Sequence, residues 1–276
     1  DEVGELKLAA DYIAADWQTF KASDRVAHDS DLQNIQNLLI LYKLSSNIEA
    51  LTRECSYVLT ELADDQQIIE IIARSLIDLQ EAELFERAVE KVADTANEKK
   101  LRLLNKIARK DWVGLSVIQD YAIDRFDNPF ADHARVVIYI ARAFVGKARG
   151  KDQLKELLAS CELDSRGRLL LFEFAAASEV VSIAKMAHSY GYSRVTERSE
   201  VIEFFHYMKL VRHMMLWKEI VSRLESHPAA IENYELKHML ALGFLNEHPI
   251  RSEAVDFFEK HIIPKPQGFE LLAGCL

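Results

Sequence analysis

One tripeptide occurs three times in this chain. Ile72-Ala73-Arg74, Ile107-Ala108-Arg109 and Ile140-Ala141-Arg142 each set a guanidinium after an apolar and a small residue, at intervals of 35 and 33. A second set, Arg102, Arg135 and Arg168, recurs at intervals of 33. Arg102 and Arg109 are seven apart, as are Arg135 and Arg142, so in a helix each pair shares one face. Asn105 lies between the first pair and Tyr139 between the second. The planar fork of a guanidinium matches carboxylate and phosphate oxygens bidentately, so the chemistry on offer is anion recognition. The competing reading is that these arginines pair with acids of adjacent segments, such as Glu70 or Asp78, and serve packing.

Other chemistry is weaker. "GKARGK" (146–151) has three residues between its glycines and Asp152 after the second lysine. A phosphate-binding loop needs four and a Ser or Thr, so a turn between helices is expected, with Gly146 or Gly150 ending the first. His206 and His213 share a helix face at a spacing of seven, wider than the three or four usual for metal ligands. The Met and aromatic residues around them, Phe205 and Trp217 among them, read as core. No GxSxG, HExxH, EF-hand or GxGxxG motif is present. The expectation is no enzyme, no cofactor and no metal.

The chain has 276 residues, nine Gly, five Pro and a net charge of −10. So few helix breakers favour helix, and the acidic balance argues against general nucleic-acid binding. Charge is uneven. Residues 1–98 carry 8 basic and 21 acidic side chains, whereas residues 99–168 carry 15 and 9. A basic zone in an acidic chain suggests an anionic partner for one surface, or neutralisation of the N-terminal third. Three cysteines with no ligand spacing indicate neither a disulfide framework nor zinc and leave a reducing, cytoplasmic setting as the default. No apolar run is long enough for a transmembrane helix, since Arg142 interrupts "VVIYIARAFVG".

The elements that must position the arginines follow from periodicity. Apolar residues at spacings of three and four predict helices over 32–44, 47–62, 66–79, 82–96, 99–111 and 112–126. No Val/Ile/Thr-rich alternation predicts a strand. The chain reads as all-α, with about fourteen to sixteen helices. Cuts at 32, 66, 99, 132, 165, 200 and 233 give seven units of 33 to 35 residues, the mark of an α-α superhelix of stacked helix pairs.

Units of this length resemble the tetratricopeptide-like superfamily, in degenerate form, over roughly residues 32–266. The family pattern has an apolar–small pair in the first helix of each unit. Ile72-Ala73, Ile107-Ala108, Ile140-Ala141 and Leu242-Gly243 match it, as do Ile69, Leu104, Val137 and Met239 three before each pair. Ala254 and Pro264 fit the second helix and its end. The unit from 165 to 199 is hard to register. The resemblance implies that first helices line a concave groove. The residue after the small one and the residue six before it would face that groove: Arg74, Arg109 and Arg142, then Gln67, Arg102 and Arg135. It therefore implies a protein-interaction module. An acidic or carboxylate-ended peptide would lie against Arg74, Arg102, Asn105, Arg109, Arg135, Tyr139, Arg142 and Arg168. The alternative is an accessory helical domain of a larger enzyme or assembly that orients an anionic polymer or the catalytic domain.

Residues 1–31 are expected to form a capping helix and linker, with Leu6, Ala9, Tyr12, Ile13, Trp17 and Phe20 inward. Residues 267–276 form an apolar tail that docks back, leads into a further domain, or contacts another chain. Oligomerisation through the ends would follow from the last of these.

Overall fold

The computed structural model describes residues 2–23, 28–61, 65–79, 81–196, 198–227, 229 and 260. Among them are fourteen helices and no strand. Apart from residue 260, the unit expected over 233–266, with Leu242-Gly243, Ala254 and Pro264, and the tail lie outside the described residues.

The chain divides into two compact units, Asp1–Asp111 and Trp112–Leu276. The first holds α1 (Glu2–Lys21), α2 (Asp29–Leu44), α3 (Ile48–Glu61), α4 (Gln66–Ser75), α5 (Ala82–Glu90) and α6 (Thr95–Ala108). The second holds α7 (Trp112–Ser116), α8 (Asp120–Ile123), α9 (Phe130–Phe144), α10 (Ala148–Ser160), α11 (Ser165–Ala177), α12 (Val181–Tyr192), α13 (Val201–His213) and α14 (Trp217–Ser226).

Starts and stops follow local chemistry. Asp65, Asp94 and Asp164 sit just before α4, α6 and α11, and each carboxylate accepts from a backbone N–H of the first turn. The α2, α4, α6, α9, α11 and α13 helices each end on a residue of positive φ: Ser46, Asp78, Lys110, Gly146, Glu179 and Met215. One such residue per helix pair reverses the chain. After four of these helices the next N–H reaches back five residues: Asn47 to Tyr42, Asp111 to Lys106, Lys147 to Arg142 and Leu216 to Val211. This closes the helix end with otherwise unpaired carbonyls satisfied. At Asp78 the N–H instead donates to Asn105 Oδ1, 3.2 Å away.

Within the first unit α2 packs on α4 and α3 on α5. Within the second α9, α11 and α13 pack in series, and α10 meets α12. First helices contact first helices, and second contact second, as a helix-pair repeat requires. The 165–199 unit is the pair α11 and α12. The first core gathers Trp17, Ile35, Leu38, Leu51, Ile69, Ile72 and Phe85. The second buries Val137, Ile140, Leu171, Phe172, Phe204 and Tyr207.

Three local expectations are corrected. Residues 112–126 form two short helices, α7 and α8, rather than one. On α1 the buried stripe is Ala10, Trp17 and Phe20 with Ile13 and Ala14, while Ala9 and Tyr12 face outward. Gly150 lies inside α10 rather than at the end of α9. A Cβ there would meet Ala143 N, Arg142 Cβ and Tyr139 O at 2.6–2.8 Å, so this glycine sets the crossing of α9 and α10. Gly146 alone supplies the turn, at φ +81°.

Candidate functional site

The three repeated tripeptides have three different fates. In α4 and α9 the Ile-Ala pairs are fully buried, whereas in α6 Ala108 is exposed and Leu101, Leu103 and Asn105 face inward instead. The shift of register in α6 alters what its arginines meet.

Arg74 is 64% exposed and approaches only Glu70, one turn earlier, at 3.8 Å. It lines a groove between α2 and α4 with Gln67, Gln36, Ile40 and Ile71. Arg102 is bound to Glu86 on α5 and to Glu98 one turn before it, 3.0 Å away. Arg109, at the end of α6, is exposed. Its guanidinium has no ion pair among the described residues. A cleft brings Arg102, Asn105, Lys106 and Arg109 together with Phe85, Glu86 and Asp111. Lys106 reaches Asp111 at 3.2 Å, so Arg109 is the arginine of this cleft left to meet a ligand. Asn105 spends its carbonyl oxygen on Asp78 and so holds the α4–α5 turn.

In the second unit Arg135, Arg142 and Arg168 are engaged. Arg135 bridges Asp132 at 2.6 Å and Asp124 at 2.8 Å. Arg142, 9% exposed, donates to Asp120 at 2.9 Å, Gln153 at 2.7 Å and the Ile118 carbonyl. Its guanidinium stands 5.4 Å from the centre of the Tyr139 ring. It pins the irregular 117–123 segment onto α9 and α10. Lys147 assists by donating to the Ser116 carbonyl at 3.0 Å. Arg168 grips both oxygens of buried Glu203 on α13, and its remaining nitrogen reaches the Leu163 carbonyl at 2.7 Å. Each is a charge-assisted fork joining two or more segments.

No family model matches the chain, and neither does a curated protein or a solved structure. Geometry alone therefore ranks the candidates.

Tyr139 lines a second cleft, between α9 and α10, with Asp132, Arg135, Arg149, Asp152 and Glu156 among others. Burial first, then the charge of Asp120, pushes its phenol up, so the hydroxyl is neutral at ordinary pH. Cys161, in the same cleft, contacts Asp132 Oδ2 at 3.4 Å, and burial with that hydrogen bond raises its thiol. Cys55 is buried in the first core and pushed up to about 12 by burial, then by Glu54, which leaves it a thiol rather than a reactive thiolate.

A further ionic centre carries no signal in the sequence spacing. Glu54 on α3 is 1% exposed and accepts from the Trp17 indole at 3.0 Å and from Lys21 at 2.7 Å. Burial would raise its carboxyl, but the Lys21 and Trp17 hydrogen bonds and the Lys21 charge hold it below the ordinary value. In α13, Phe204 fills the core and the half-exposed Phe205 carries Lys209 over its ring. Among the described residues no cluster of three or more metal-ligating side chains occurs, and no helix is long and apolar enough to cross a membrane.

Proposed function

We propose that the chain is a tetratricopeptide-like protein-interaction module whose first unit takes the carboxylate of an acidic peptide in the Arg102–Asn105–Arg109 cleft. The carrying observation is Arg109. It is exposed, lacks an ion pair among the described residues, and lies beside two further cations, Arg102 and Lys106. A row of cations whose last member has no protein counter-charge favours an incoming anion. Arg74 offers a second exposed guanidinium on the groove between α2 and α4. Arg135, Arg142 and Arg168 support the reading differently, as clamps that hold the second unit's helices in register.

The test is fluorescence anisotropy with a labelled acidic peptide ending in a free carboxylate and with its C-terminal amide. The free acid should bind more tightly, and binding should weaken with salt. Arg109→Glu should weaken it at least about tenfold, the scale of a lost charge-assisted hydrogen bond. Arg166→Glu, an exposed change on α11, should leave binding alone. Equal binding of acid and amide, or indifference to Arg109→Glu, would refute the proposal.

A further inference from the structure

The Arg102–Arg109 cleft also carries carboxylates of its own. Glu86 on α5 and Asp111 just past α6 line it together with Arg102, Asn105, Lys106 and Arg109. Arg102 donates through Nη1 to Glu86 and through Nε to Glu98, the latter at 3.0 Å. Lys106 meets Asp111 at 3.2 Å. Three cations and two carboxylates therefore line the cleft, and Glu98 offsets Arg102 further without lining it. At most one positive charge of the cleft is left unmatched, at Arg109. Asn105 adds none. Its Oδ1 is taken by the Asp78 N–H, so only its uncharged amide N–H groups remain for a ligand.

This arrangement limits the charge a ligand can bring. A carboxylate brings one negative charge, which Arg109 matches. A phosphomonoester brings close to two at neutral pH and above. The second charge would find only cations that are already paired, and it would stand beside Glu86 and Asp111, where like charges repel. Glu86 is the more telling of the two. It comes from the neighbouring helix, and its side chain is 50% exposed, so core packing does not call for it. Glu98, one turn away, already gives Arg102 a partner. We infer that Glu86 and Asp111 hold the cleft to a ligand group of single negative charge, a carboxylate in preference to a phosphate dianion. This charge limit rests on the acidic-peptide reading of the same cleft and adds to it the anion class that the cleft refuses.

Fluorescence anisotropy on the whole chain at pH 8 tests the limit with two labelled acidic peptides of one sequence. One ends in a free carboxylate and the other in phosphoserine amide, which carries two charges at this pH. The native chain should bind the carboxylate peptide at least as tightly as the phosphopeptide. Glu86→Gln should tighten the carboxylate peptide about threefold, the scale of one exposed charge contact, and the phosphopeptide about tenfold, because Coulomb energy follows the product of the charges. Asp111→Asn, on the other carboxylate of the cleft, should move the preference in the same direction. Circular dichroism should be unchanged in both variants, since both side chains are substantially exposed. A native chain that prefers the phosphopeptide, or variants that leave the ratio of the two affinities unchanged, would overturn the charge limit while the acidic-peptide reading stands. Failure of the carboxylate peptide to bind the native chain would overturn both.

Discussion

Arginines of one sequence pattern divide into bearers of structure and bearers of free charge, and the division depends on what folds over them. Arg142 is closed in by Asp120, Gln153 and the Ile118 carbonyl, none of which is near it in sequence. Arg109 has no such cover. Arg142→Ala should therefore destabilise the second unit by about 1–3 kcal/mol, because it removes a largely buried guanidinium and its hydrogen bonds to Asp120, Gln153 and the Ile118 carbonyl. Arg109→Ala should change stability by less than about 0.5 kcal/mol, as for most surface sites. Urea denaturation followed by circular dichroism compares them, and similar midpoints for the two variants would contradict the division. The sequence spacing placed both residues within helices, whereas α6 ends at Ala108 and Arg109 caps it. The spacing could not tell them apart, since the deciding partners come from the break of residues 112–126 into α7 and α8. The pair Asp120 and Gln153, 33 residues apart, matched the repeat interval but carried no charge signature of its own.

At the scale of elements, helix periodicity was legible almost everywhere and the turns were not. Of the six positive-φ residues that end first helices, only Gly146 is a glycine. A search for glycine punctuation therefore finds one turn in six, although the backbone repeats its reversal in every pair. These positions store strain, since a side chain in the left-handed region costs about 1 kcal/mol. Met215→Gly and Glu179→Gly, both at exposed positions, should raise stability by about 0.5 kcal/mol each after the added freedom of the unfolded chain is counted. A lowered thermal midpoint in both would show that the turns are not strained. The α1 helix gives a further case. Its amphipathic character was readable, but its inward face was rotated, because Trp17 and Lys21 turn toward Glu54 on α3. Glu54 has a folded-state pKa below its unfolded value. Its contribution is thus present above the unfolded pKa, about 4.3, and is lost as pH falls through the folded value. The stability gap between the native chain and Glu54→Gln should be widest near neutral pH and close progressively below about pH 4. A gap that does not narrow in acid would remove the charged contact from the account of α1 docking.

For the whole molecule, repetition has a thermodynamic consequence. A helix-pair array draws its stability from each pair and from the faces between neighbouring pairs, so any stretch with enough internal faces can fold alone. Residues Asp1–Asp111 form one compact unit, and its core cluster draws every member from within that span, from Ala10 on α1 to Leu101 on α6. The uneven charge of the chain follows the same boundary loosely, with the acidic excess concentrated before residue 99. Expressed by itself, the segment 1–111 should show helical circular dichroism and one cooperative urea transition. It should also retain acidic-peptide binding, because Arg102, Asn105, Lys106 and Arg109 all lie in it. A segment that stays unfolded would mean that the first core needs faces from beyond residue 111. A folded segment that lost acidic-peptide binding would move the carboxylate site away from the Arg102–Arg109 cleft.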